Sequence, residues 1–198
     1  MVTHKVLFQL LLPGRNMARD PAHGQGAATS FLIDSNSMTL IPSVLLRPLA
    51  VGLLGATRLT VAATSVGRGR RVLELATEWA ATRKQFGQPI ADFQLVQAML
   101  ADSKAELYAA ECMTLDAARK RDEGRNVTTE ASCSKMFASE MCGRVADRAV
   151  QILGGAGYLS EYGIERFYRD VRLFRLYEGT TQIQQIIIAR NMAREVRG

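Results

Sequence analysis

The chain has 198 residues, 47% of them hydrophobic and 22% charged, a make-up that suits a globular domain with a real core and excludes a disordered or fibrous chain. Its formal charge is +6, but the lysines and arginines are scattered, with short clusters only at Arg68–Arg71 and Lys120–Arg125 and no interleaved aromatics, which argues against a nucleic-acid surface. Three cysteines without C-x-x-C spacing argue against a disulfide framework and fit a reducing cytoplasm, and histidines confined to His4 and His23 exclude a histidine triad or His-rich metal site in the main body, so no metal is expected.

Residues 1–50 hold four of the five prolines and both histidines. Ala28–Asp34 reads as one short strand, and the rest of this stretch reads as irregular chain or the remnant of a β-domain, because a lone strand is not stable alone. Val6–Leu12 is apolar but lacks the basic flank and small-residue cleavage site of a signal peptide. No apolar run is long enough to span a bilayer.

From residue 51 to 198 the pattern is helical. Leu59, Ala62, Val66, Gly69, Leu73, Ala76 and Ala80 recur at spacings of three and four, which predicts a helix to about Arg83 with a small-residue face for close packing. A turn at Phe86-Gly87-Gln88-Pro89 follows. A second helix opens near Ala91 or Asp92, with Phe93, Val96, Leu100, Ser103, Leu107, Ala110, Thr114 and Ala117 inward, and closes at Gly124. A third opens near Thr128 with Glu130 in its first turn, carries Phe137, Met141, Val145, Ala149 and Ile152 or Leu153, and stops at Gly154-Gly155-Ala156-Gly157. A compact stretch, Tyr158–Tyr177, holds a short helix or two. The last helix starts after Gly179, with Thr181 and Gln184 at capping-box spacing and Ile183, Ile186, Ile187 and Ala193 as its apolar face. The expected fold is all-α: an antiparallel four-helix bundle over 51–198 behind an irregular or β-remnant segment over 1–50.

A bundle says little about function, so the helix ends carry the argument. Arg83-Lys84-Gln85-Phe86-Gly87 can grip a phosphate and cover a ring, although an arginine at a helix end also serves as a plain C-terminal cap. Gln151 and the glycines after it let a ligand approach the backbone, or simply stop the helix; they do not follow a strand, so no Rossmann motif is present. Tyr177-Glu178-Gly179-Thr180-Thr181-Gln182 places a carboxylate just before a helix N-terminus, where acids also serve as caps; with a threonine available for that task, Glu178 is surplus to it.

Together, and in this order, the phrases RLTVAATSVGRGRRVLELATEWAATRKQFGQPIADFQ, QILGGAGY, YRDVR and YEGTTQIQ resemble the acyl-CoA dehydrogenase family, in its C-terminal helical domain, over about residues 52–198. The resemblance implies an FAD-dependent, tetrameric oxidoreductase of fatty acid metabolism. Such an enzyme desaturates an acyl-CoA thioester between Cα and Cβ, and electron-transfer flavoprotein is a candidate partner. It implies Glu178 as the base that takes the α proton. It implies Arg83, Gln85 and Phe86 as contacts to a neighbouring subunit's FAD, Gln151 and Gly155 as contacts near its adenine end, and Thr180 and Gln182 as further FAD contacts. Arg58, Tyr177 and Gly179 fall near the substrate and its CoA portion, and Tyr168, Arg169, Asp170 and Arg172 look structural. Some members place the acid on another helix, but Ser65-Val66-Gly67 offers none there. The family's N-terminal helical domain and most of its central β-domain, with the flavin-clamping segments, have no counterpart here; Ala18–Asp34 vaguely resembles a piece of the latter. Two other readings stay open: a non-catalytic truncated subunit that only assembles as a dimer or tetramer, and a DNA-associated relative of the family.

Overall fold

The structure, a computed structural model, describes the backbone of residues 43–198 and the side chains of residues 57–198. The strand expected at Ala28–Asp34, and the rest of the N-terminal segment up to residue 42, lie outside the described residues. Within them the chain is helical, as expected from residue 51 on, and the first helix also takes in residues 43–50 of the segment read as irregular: α1 Ser43–Thr82, α2 Gln94–Asp122, α3 Thr128–Leu153, α4 Ile164–Val171 and α5 Thr181–Arg197. A two-residue hairpin, β1 Lys84–Gln85 against β2 Gln88–Pro89, links α1 to α2 through a 3-10 turn at Ile90–Asp92. Further 3-10 turns at Gly154–Tyr158, Ser160–Tyr162 and Arg172–Arg175 flank α4.

Cross-helix contacts fix the directions. Leu59 of α1 packs with Ala117 of α2, while Arg70 pairs with Glu111, so α1 and α2 run antiparallel. Ser134 of α3 donates to the Met113 carbonyl at 3.1 Å, and Glu106 holds Arg144 and Arg148, each at 2.9 Å, so α2 and α3 are antiparallel. Thr181 meets Glu140 and Asn191 meets Thr129, so α5 runs back along α3. The result is the up-down-up-down bundle, with α4 inserted before its last member.

The core is built from small and branched residues. Val61, Ala62, Val66, Val72, Ala76 and Ala80 of α1 meet Leu107 and Ala110 of α2 and Met141, Val145, Ala146 and Ala149 of α3. Alanines let the axes approach, and each fully buried valine or methionine contributes about 1.5–3 kcal/mol of burial. A Cβ added to Gly69 would sit 3.3 Å from Met141 Sδ, so α1 packs closely on that side chain there. Hydroxyls buried or half-exposed in the helices are satisfied locally: Ser65, Thr77 and Thr114 each donate to the carbonyl four residues earlier.

The second helix opens at Gln94, with Phe93 as its cap, rather than near Ala91 or Asp92; the other helix ends follow the expected residues, and α5 differs in its cap and its face. Gly124 closes the α2 turn with φ +76°, and Gly154 stops α3 with φ +61°. The cap of α5 is Thr180, whose hydroxyl accepts from the Ile183 N–H at 3.3 Å; Thr181 instead donates to Glu140 at 2.8 Å. The second difference is the face of α5. Gln184 is its one buried residue, whereas Ile183 and Ile186 are each more than 40% exposed and Ala193 is exposed. The polar side chain turns inward because the loop before α5 presents carbonyls that need a donor. Among the described residues no helix is long and apolar enough to cross a membrane, and Cys112, Cys133 and Cys142 are free thiols.

Candidate active site

The chain between the 3-10 turn at Arg172–Arg175 and α5 makes a tight bend that presents Glu178. Glu178 has φ +54° and Gly179 φ +88°, so two successive residues sit in the left-handed region. A non-glycine residue there costs about 1–2 kcal/mol, and something must hold it. The holders are two fully buried polar side chains. Gln184 Nε2 of α5 donates to the Glu178 and Gly179 carbonyls, both at 3.1 Å. Lys135 Nζ of α3 donates to the Gly179 carbonyl at 2.6 Å. A Cβ on Gly179 would lie 2.5 Å from Gln184 Nε2, so glycine is required both for φ and for this approach. Below the bend, Glu140 receives the Thr181 hydroxyl, and Arg175 Nε lies 3.1 Å from Glu140 Oε2 as an ion pair without hydrogen-bond alignment. The Arg175 guanidinium lies against Gly143, where any Cβ would displace it.

The carboxylate points back to α1. Thr57 Oγ1 donates to Glu178 Oε2 at 2.5 Å, a short charge-assisted bond. The next residue, Arg58, reaches Ser132 Oγ at 3.4 Å and keeps a buried Nε–H without a partner. Burial lowers the Arg58 guanidinium from its ordinary value, and the Glu178 charge opposes that. Burial pushes the Lys135 ammonium down to about 8, against the pull of Glu140 and Glu178 and with a smaller push from Arg58. The Tyr177 hydroxyl is pushed up to about 12, mainly by burial, while its ring stands edge-on to Phe174 with centroids 5.8 Å apart. Among the described residues no backbone hydrogen bond outside the helices uses the Glu178 N–H. The arrangement is a carboxylate with one oxygen tied and one available, beside an amide donor and a helix N-terminus, which is what removing a proton from an activated carbon requires.

The structure therefore brings together Arg58, Tyr177, Glu178, Gly179 and Thr180, and adds three residues that sequence reasoning missed: Thr57, Lys135 and Gln184. Gln182 is exposed on the first turn of α5. The remaining candidates lie at the other end of the bundle. Because α1 and α3 run parallel, their C-terminal ends share that end, as the edge-on contact of Trp79 with Tyr162 at 5.3 Å also shows. Arg83, Gln85, Phe86, Gln151 and Gly155 are all exposed there. The Phe86 ring is 94% exposed at the hairpin tip, with φ +52°, and stands edge-on to Phe93 with centroids 6.2 Å apart. From Lys135 to Gln151 is sixteen residues of one helix, about 24 Å at 1.5 Å per residue. The two clusters cannot grip the same ring.

Residues 48–193 match the family model for the acyl-CoA dehydrogenase C-terminal domain. A caffeyl-CoA reductase-Etf complex subunit, CarC, from Acetobacterium woodii is 46% identical over 140 residues, which are 71% of this chain and 37% of that protein. The solved structure of butyryl-CoA dehydrogenase from Megasphaera elsdenii superposes with a TM-score of 0.70 at 37% identity, covering 71% of this chain and 37% of that one. A structure of PigA with FAD and proline gives a TM-score of 0.70 at 32% identity, covering 73% of this chain and 37% of that one. The chain thus spans a little over one third of the length of the relatives it matches.

Proposed function

We propose, for a chain that belongs to the acyl-CoA dehydrogenase family by its C-terminal domain, that Glu178 takes the α proton of an acyl-CoA thioester in an FAD-dependent α,β-desaturation. The observation that carries this reading is the strained bend at Glu178, with its carboxylate on Thr57 and two buried donors on the carbonyls beside it. Strain of this kind is kept where a side chain must leave the backbone in one direction. Thr57 holds Oε2 and leaves Oε1 to receive the proton. The Glu178 N–H would donate to the thioester oxygen as negative charge grows on it. Arg58 and Tyr177 would line the substrate side, with Gly179 beside them in the bend.

The residues present fit FAD. The Phe86 ring, 94% exposed at the turn tip, offers a flat apolar face for a ring to stack on, and Arg83 and Gln85 beside it suit a phosphate-bearing ligand. Arg83, Gln85, Phe86, Gln151 and Gly155 reach outward from their own bundle and would hold the flavin of an adjacent subunit; Thr180 and Gln182 would hold the nearer one. When bound, FAD supplies the acceptor for the hydrogen that leaves the β carbon as hydride. A homo-oligomer, dimer or tetramer, follows from that arrangement, and the electron acceptor would be an electron-transfer flavoprotein, in a cytoplasmic setting.

The test is anaerobic. Purified chain incubated with FAD is expected to be yellow and to bleach on addition of butyryl-CoA. One observation favours a second reading: the exposed Ile183, Ile186 and Met192 of α5 suit an assembly surface. A colourless protein that forms tetramers and never takes up FAD would support a subunit that only assembles and would overturn the catalytic reading for this chain.

A further inference from the structure

Lys135 is the largest fully buried side chain among the described residues. It sits on α3 among Ala131, Ser132, Ser134, Ala138 and Ser139, all of them buried. Among the described residues no carboxylate lies within ion-pair distance of it; its hydrogen bond goes to the Gly179 carbonyl at 2.6 Å. The charged groups facing it are Arg58 from α1, Glu140 on α3 itself and Glu178 from the bend. An ammonium without a contacting carboxylate is a poor choice for core stability, and an apolar side chain of the same length would pack there at lower cost. Nor is the lysine needed to satisfy the carbonyl, because Gln184 already donates to it. What Lys135 adds is a second anchor from a different helix. Gln184 ties the bend to α5, which follows it in the chain, whereas Lys135 ties it to α3, the central helix of the bundle. With two donors from two directions on one carbonyl, the left-handed pair Glu178–Gly179 cannot relax.

We propose that Lys135 is a positioning residue: its ammonium, bonded to the Gly179 carbonyl, locks the Glu178–Gly179 bend onto α3 and so sets the direction in which the Glu178 carboxylate leaves the backbone. The proposal rests on the reading of Glu178 as base for its purpose, but not for its test, which reads the bend itself.

The experiment compares the 198-residue chain with Lys135→Met by amide NMR and hydrogen exchange, with thermal melting as a control. In the wild type at pH 6 the Lys135 ammonium gives a resolved signal protected from exchange. In K135M the melting temperature is held or raised, while exchange at Glu178, Gly179 and Thr180 rises at least tenfold and the carbon shifts that mark positive φ at Glu178 move toward average values. Bend shifts and exchange unchanged in K135M overturn the proposal, as does an unprotected ammonium in the wild type, a measurement that needs no variant. Uniform loss of structure in K135M also overturns it, since the lysine would then be a core element rather than a lock. Whether Glu178 is the base is decided separately by flavin bleaching, so the two ideas fail on different signals.

Discussion

Glu178→Gln is expected to lower the rate of flavin bleaching by acyl-CoA by roughly 10³-fold, within the range a positioned general base supplies. Glutamine keeps the shape of glutamate, so the Thr57 hydroxyl still finds an acceptor at 2.5 Å reach and the bend keeps its two buried donors. What it loses is the capacity to take a proton. FAD uptake and the melting temperature should therefore stay near wild type, because Gln184 and Lys135 grip backbone carbonyls rather than the side chain. A second readout avoids the flavin: mass spectrometry of butyryl-CoA incubated in D₂O with the protein reports exchange of the α hydrogens, which E178Q should stop. Bleaching and exchange at wild-type rates in E178Q would show that another group is the base.

Lys135 gives the second large effect, on stability against pH. The folded chain holds this proton with a value of about 8, below the ordinary 10.5, first because burial disfavours the charge. Between about pH 8 and 10.5 the unfolded chain therefore carries more protons at this site than the folded one, and stability rises with pH across that window; below about 8 the whole cost is present. Two and a half units correspond to roughly 3 kcal/mol as an upper bound, part of it offset by the bond to Gly179. Lys135→Met should thus gain about 1–3 kcal/mol at pH 7 and lose most of the rise between pH 8 and 10. Urea titrations of both proteins at pH 7 and 9.5 check this through the midpoints at constant slope. A variant less stable at pH 7, with the rise intact, would mean that the lysine is not where the pH dependence resides.

The bundle was largely legible in the sequence because its helices bury strict three-four ladders of small residues and stop at glycines, signals that depend on local chain geometry alone. Leu59 through Ala80 lie buried or half-buried as their spacing required. The three missed site residues illustrate what such patterns cannot carry. Lys135 lies ahead of the third helix's apolar ladder, which was read from Phe137, and a lysine there ordinarily lies in solvent; the distant bend gives it its partner, 44 residues on. Thr57 finds Glu178 across 121 residues. Gln184 was read as half of a capping box, and the isoleucines beside it as the inward face. Hydropathy favours that choice, but the two loop carbonyls needed a donor, and satisfying buried carbonyls outweighs burying one more methyl group. The capping threonine was misplaced by one residue for a related reason. Either hydroxyl suits the role chemically, and the left-handed Gly179 decides which one faces the free N–H groups.

The uneven attachment of α5 has a consequence for how the molecule fails. This helix buries one side chain, packs chiefly on α3, and yet supplies both the threonine cap and the glutamine that keep the bend in shape. Opening events with little buried apolar area are the least costly in a folded chain. On warming, the last seventeen-residue helix is therefore expected to lift away before the other long helices of the described bundle. The Glu178–Gly179 bend is then expected to lose its shape while circular dichroism still records a largely helical protein, so exchange at those amides should rise before the main melting transition.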